Sequence, residues 1–179
     1  MPSKSELKKY LHNLSKEQII EIIINAYQNN KPIKDYFDYF LYPDEEERMK
    51  QCRKMIDKKF NFKKNQVSTL HFYDATKTIN EFASLNPNPK NLADLMVYLI
   101  ECACKYTFEP DFINVHFYIT IVNYFKETLE FLKNNNLLAE FQQRCLNCVN
   151  LTEQYGYGFY DDMIRVYCEY YPNDYKIKI

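Results

Sequence analysis

The stretch Leu14-Ser15-Lys16-Glu17-Gln18-Ile19-Ile20-Glu21-Ile22-Ile23-Ile24-Asn25-Ala26-Tyr27 decides the fold class. Its isoleucines are β-branched and suit a strand as well as a helix. Three features select the helix. Ser15 and Gln18 have the spacing of a capping box, in which each side chain serves the other residue's backbone N–H. The run is too long for an ordinary strand, and it does not alternate apolar with polar residues. A helix apolar most of the way round is expected to be buried.

The same period extends in both directions. Upstream, Leu7, Tyr10, Leu11 and Leu14 give one apolar face to a short helix over about Ser5 to Asn13. Downstream, Asn29-Asn30-Lys31 reads as a loop, and Pro32 suits the first turn of a helix running to about Tyr42. That helix would pack Ile33, Tyr36, Phe37, Phe40 and Leu41. After Pro43, Asp44 to Glu47 fill a first turn, and Arg53, Lys54, Lys58 and Lys59 fill later turns, the order that suits the helix dipole. Ser68 caps a helix over Thr69 to Ser84, with Leu70, Phe72 or Tyr73, Ile79 and Phe82 inward. Asn86-Pro87-Asn88-Pro89 breaks the chain. Helices follow over about Asn91 to Tyr106, Asp111 to Lys133, Leu137 to Gln154 and Tyr160 to Tyr171. The helix over Asp111 to Lys133 is the longest and is expected to be central.

The fold class is therefore all-α. About nine helices in antiparallel hairpins form one domain over 1–179, either a short α-α superhelix or an irregular helical bundle. With 179 residues, 46% hydrophobic and 17% aromatic, the chain can build a sizeable core. Its two glycines, Gly156 and Gly158, cannot supply a phosphate-cradling loop, which argues against standard nucleotide-binding folds. Net charge is −1, but residues 1–64 carry a net +4 and residues 65–179 a net −5. The N-terminus shows no secretory leader pattern, and no apolar run is long enough to span a bilayer. A cytoplasmic protein with six reduced cysteines and no membrane association is the expectation.

Three segments form a recognisable set: Leu14-Ser15-Lys16-Glu17-Gln18-Ile19-Ile20, Tyr36-Phe37-Asp38-Tyr39-Phe40-Leu41-Tyr42-Pro43-Asp44-Glu45-Glu46 and Tyr155-Gly156-Tyr157-Gly158-Phe159-Tyr160-Asp161-Asp162-Met163. Together they resemble an uncharacterised bacterial family known only as a domain of unknown function. The resemblance implies a bacterial source and a domain filling the whole chain. It lends no functional residue to any position.

Candidate sites come from residue chemistry alone. Cys145 and Cys148 form a C-x-x-C, and Cys102 and Cys104 a C-x-C. Four thiolates could hold zinc. Both pairs sit mid-helix, however, and positions 102 and 104 lie about 200° apart around a helix at roughly 100° per residue. Buried thiols packing as small hydrophobes fit better, so no metal and no cofactor are expected. His71 and Asp74 share a helix face and could do acid–base work, although a structural pair is the plainer reading. His116, in the most apolar helix, reads as a core histidine.

Asp161 and Asp162 follow the only two glycines. Adjacent carboxylates at a helix start can bind a metal, but they more commonly cap it. Phe159, Met163, Val166, Tyr167 and Tyr170 share a face and read as core. Tyr155, Tyr157 and Tyr171 are expected at the surface, where with Asp161 and Asp162 they would make an acidic, tyrosine-rich interaction patch. Arg53, Lys54, Lys58 and Lys64 mark a basic helix face over 48–64 that could meet nucleic acid, though the dipole explains the same layout.

No catalytic signature emerges. The reading is a non-enzymatic protein-interaction or scaffold module, with a protein partner and with self-association left open. A metal-binding protein or enzyme built on Asp161 and Asp162 comes second. Nucleic-acid binding through the basic helix comes third.

Overall fold

Two capping boxes open the chain. Ser15 accepts from the Gln18 backbone N–H at 3.2 Å, and Gln18 accepts from the Ser15 N–H at 2.9 Å, as expected. Ser3 and Glu6 repeat the arrangement one helix earlier. The computed structural model describes residues 3–42, 44–60, 69–106, 115–153 and 155–172. Among these residues the protein is all-α. The helices are α1 (Lys4–His12), α2 (Lys16–Asn29), α3 (Lys31–Leu41), α4 (Glu45–Phe60), α5 (Thr69–Ala83), α6 (Pro89–Tyr106), α7 (Val115–Asn134), α8 (Leu138–Asn150) and α9 (Phe159–Tyr170). The proposed Ser68 cap lies outside the described residues.

The chain divides into two compact units, residues 1–44 and 45–179. In the first, α2 packs on α3. The Tyr27 ring meets the Phe37 ring edge-on at 6.4 Å, and the Tyr27 hydroxyl donates to Asp38 at 2.6 Å. None of α1, α2 and α3 contains a buried residue. The expectation of a buried α2 is therefore corrected. It is helical as read, but Ile20, Ile22, Ile23 and Ile24 stay exposed, because α3 within the unit covers only part of its circumference.

The second unit is a helical bundle with two helices at its centre. α6 packs against α4, α5, α7 and α8, and α7 packs against α5, α6, α8 and α9. The expected central helix thus shares that place with α6, which buries Leu95, Leu99 and Ile100. Phe72 and Phe117 meet edge-on at 6.0 Å, and Tyr118 stacks on Phe159 at 4.5 Å. Full burial of one such aromatic side chain stabilises by roughly 1.5–3 kcal/mol, so these rings dominate the core energetics. Phe72 is buried and Tyr73 exposed, which resolves the inward residue of α5. His116 is exposed, contrary to its expected core position. The apolar run of α7 is wider than its buried stripe, and Val115 and Ile119 beside it are exposed too.

Candidate functional site

α6 carries Asp94, Tyr98 and Glu101 at i, i+4 and i+7, a spacing that places them on one helix face. α4 brings Arg53 and Asp57 to this stripe, and α8 brings Arg144. Arg144 donates from Nε to Glu101 Oε1 at 2.7 Å and from a terminal nitrogen to Glu101 Oε2 at 3.0 Å, a bidentate grip. Its other terminal nitrogen donates to Asp94 Oδ1 at 2.7 Å. The second oxygen of Asp94 accepts from Arg53. One carboxylate thus bridges two guanidinium groups from two helices.

The surroundings hold these groups in place. Asp94 and Glu101 side chains are only 19% and 20% exposed, and Arg144 is 31% exposed. Burial alone would lower the Arg144 pKa, but Glu101 and Asp94 more than offset it, and the net shift is upward. Each guanidinium lies over an aromatic ring, Arg53 over Tyr98 at 4.8 Å and Arg144 over Phe141 at 5.6 Å. The Tyr98 hydroxyl donates to Asp57 at 2.5 Å, and burial, followed by this bond, pushes the phenol pKa well up. At one end of the stripe Lys90 pairs with Glu140. A cavity of about 260 Å3 opens there, with Met49, Arg53, Asp94, Phe141 and Arg144 in its wall.

The C-terminal candidates are arranged differently. Gly158 caps the start of α9 at φ 74°, and Tyr157 before it has φ 58°, so the two residues take left-handed conformations in succession. Tyr157 is 68% exposed. Tyr155 is half-buried, with its ring near Tyr118 and Phe159. Asp162 accepts from Arg165 one turn on at 2.5 Å, while Asp161 is exposed. Tyr171 is a correction. Its ring is buried against Tyr167 at 4.6 Å and its hydroxyl donates to the Leu138 carbonyl at 2.8 Å, so it belongs to the core and not to the surface. Phe159, Met163, Val166 and Tyr167 are buried as expected, whereas Tyr170, the fifth residue of that face, is only half-buried and its hydroxyl donates to Glu130 at 2.8 Å.

A family model described as a family of unknown function, DUF6155, matches residues 2–171. The chain belongs to the DUF6155 family. No curated protein and no solved structure matches it.

In this DUF6155 chain the cysteines divide as the helical geometry requires. Cys104 and Cys148 are buried and their thiols hydrogen-bond to each other, whereas Cys102 sits on the other side of α6 beside Tyr98. The thiol bond, then burial, pushes Cys148 well up, and burial pushes Cys145 up to about 12. Thiols held neutral in this way are poor nucleophiles and poor ligands. Among the described residues no group of three or more His, Cys, Asp and Glu side chains is placed to hold a metal ion. Asp74 pairs with Lys59 at 2.8 Å, so the carboxylate of the His71–Asp74 pair is shared with a lysine.

The basic helix of this family member is partly committed to its own fold. Arg53 faces Asp94, Lys50 pairs with Glu46 and Lys59 with Asp74, while Lys54 and Lys58 are exposed. Lys64 lies outside the described residues. Sequence reasoning missed the Arg144 network because its partners stand 41 to 50 residues apart. The one local signal was a polar stripe at positions 94, 98 and 101 running down an otherwise apolar helix. Among the described residues, no helix is long and apolar enough to cross a membrane.

Proposed function

We propose that the chain is a non-enzymatic protein-interaction module whose α1–α3 unit docks onto an apolar helical surface of a protein partner. One observation carries this reading. Of the fifteen large apolar side chains exposed among the described residues, ten lie in α1–α3 and the residue after it: Leu7 and Tyr10 of α1, four isoleucines of α2, and four residues from Tyr36 to Tyr42. A unit of this size with no buried residue has no core of its own and must find its apolar contacts outside itself. Residues 1–44 carry six basic and six acidic side chains, so the attraction is apolar burial and not charge.

This moves the interaction surface from the C-terminal tyrosines to the isoleucines of α2 and the aromatics of α3. The enzyme or metal reading gains no support from Asp161 and Asp162, since Asp162 is engaged by Arg165 and no ligand cluster surrounds the pair among the described residues. A cytoplasmic setting belongs to the same reading and suits six cysteines that form no disulfide.

The test is affinity capture from native cells with three proteins in parallel: wild type, Ile24→Asp/Phe40→Asp, and Tyr157→Ala. A stoichiometric partner lost with the first variant and kept with the second supports the assignment. A partner kept by Ile24→Asp/Phe40→Asp, or no partner at all, overturns it.

A further inference from the structure

We propose that the cavity between α4, α6 and α8 binds a small organic oxyanion, a carboxylate or phosphate ester carrying a short apolar body. The network around it is balanced in charge. Arg53, Lys90 and Arg144 face Asp94, Glu101 and Glu140. Its donors are not all used within the protein. An arginine has five N–H donors and a lysine ammonium has three. Arg53 uses one of them, on Asp94. Arg144 uses three, on Asp94 and Glu101. The Lys90 ammonium uses one, on Glu140. Each oxygen of Asp94 and of Glu101 already takes one of these bonds, and among the described residues the remaining donors of Arg53, Arg144 and Lys90 take no further protein acceptor. A donor-rich wall built from guanidinium edges is complementary to a carboxylate or phosphate.

Preorganisation supports the same assignment. Asp94 ties both guanidiniums and each lies over an aromatic ring, Tyr98 or Phe141, so an incoming anion would meet donors whose rotamers are already set. Arg53 is the group with most capacity left, since it holds Asp94 through a single nitrogen and is 40% exposed on its side chain. Met49 and Phe141 supply the apolar part of the wall. The cavity, at about 260 Å3, falls just below the roughly 300–1,000 Å3 of pockets for drug-sized ligands, which sets the ligand class to small molecules. Two carboxylates in the wall oppose an anion: Asp94, which is held between the two guanidiniums, and Glu140, which is tied to Lys90 in an exposed pair.

Full-length protein would be titrated by calorimetry with phenyl phosphate, benzoate and inorganic phosphate at constant ionic strength. Saturable binding of phenyl phosphate alone assigns a phosphate ester, and saturable binding of benzoate assigns a carboxylate. Arg53→Gln should weaken that binding at least tenfold, and Lys54→Gln, an exposed neighbour outside the cavity wall, should leave it unchanged. Glu140→Gln should tighten it several-fold by freeing the Lys90 ammonium and removing a repulsive charge, a result that a purely structural network would not produce. Circular dichroism of each variant checks that the helices persist. The proposal is overturned if none of the three probes saturates by 20 mM (on the order of the weakest binding worth a site), or if Arg53→Gln binds as wild type does.

Discussion

Arg144 on α8 grips Glu101 on α6 through two nearly parallel hydrogen bonds, 2.7 Å and 3.0 Å long, while its remaining terminal nitrogen reaches Asp94. Both carboxylates are mostly buried, so Glu101 relies on this guanidinium and Asp94 relies on it together with Arg53. Removing one partner of such a group leaves the others desolvated and unmatched, whereas replacing a pair with apolar groups of similar shape can be neutral. Arg144→Ala should therefore destabilise the protein by about 2–3 kcal/mol in urea unfolding, and Arg144→Met/Glu101→Met by distinctly less than the sum of its single changes.

The alkaline limb of stability should report the buried thiols. Burial pushes Cys145 up to about 12, and the bond with Cys104 followed by burial pushes Cys148 up. An unfolded thiol titrates near pH ~8.5. The folded pKa is the higher of the two, so the contribution is fully present below that pH and is lost as pH rises toward the folded value. Urea midpoints should fall between pH 8 and pH 10.5, roughly the range in which only the unfolded thiols ionise. Cys145→Ala should make that fall shallower, whatever its effect on stability at neutral pH.

The two glycines should respond differently to alanine. Gly158 needs its left-handed φ of 74°, so Gly158→Ala should cost about 1 kcal/mol. Gly156 has open space where a Cβ would stand and no positive φ, so Gly156→Ala should be neutral or slightly stabilising. Tyr157 holds φ 58° with an exposed ring, a strained conformation without compensating burial. Tyr157→Asn, a residue that tolerates this region, should raise the melting temperature, measured by calorimetry.

A peptide of residues 1–44 should be poorly helical by circular dichroism at 25 °C. Its helices span 9, 14 and 11 residues, and none contributes a buried side chain. Isolated helices shorter than ~12–15 residues are marginal in water. High helicity in the dilute peptide would show that local propensity and the two capping boxes are sufficient.

Helix positions were legible because they rest on local chemistry: Ser15 with Gln18, Pro32 in the first turn of α3, the Asn86-to-Pro89 break, and the acidic start and basic end of α4. Core faces followed where periodicity was clean, as at Phe159, Met163, Val166 and Tyr167. What failed depended on how much of a helix its neighbours cover. Apolar content gave α2 a buried place that its unit does not provide, and it turned His116 inward on a helix whose outer face is also apolar. Tyr171 was misplaced because its hydrogen bond goes to Leu138, 33 residues away. The Arg144 network was hidden for the same reason: the polar stripe on α6 shows in the sequence, but its partners on α4 and α8 lie 41 to 50 residues away.

The bridging role of Asp94 has a temporal side. Arg53 precedes it by 41 residues and Arg144 follows it by 50. At a synthesis rate of roughly 5–20 residues per second, Arg144 follows Asp94 by about 2.5–10 s and Glu101 by about 2–9 s. During that interval Arg53 is the only one of the two guanidiniums present, and α4 can engage α6 while the Glu101 carboxylate still keeps its water. The arrival of α8 then dehydrates both acids at once, so a ribosome-bound chain ending before residue 144 should remain a looser, more protease-sensitive body than one ending after it.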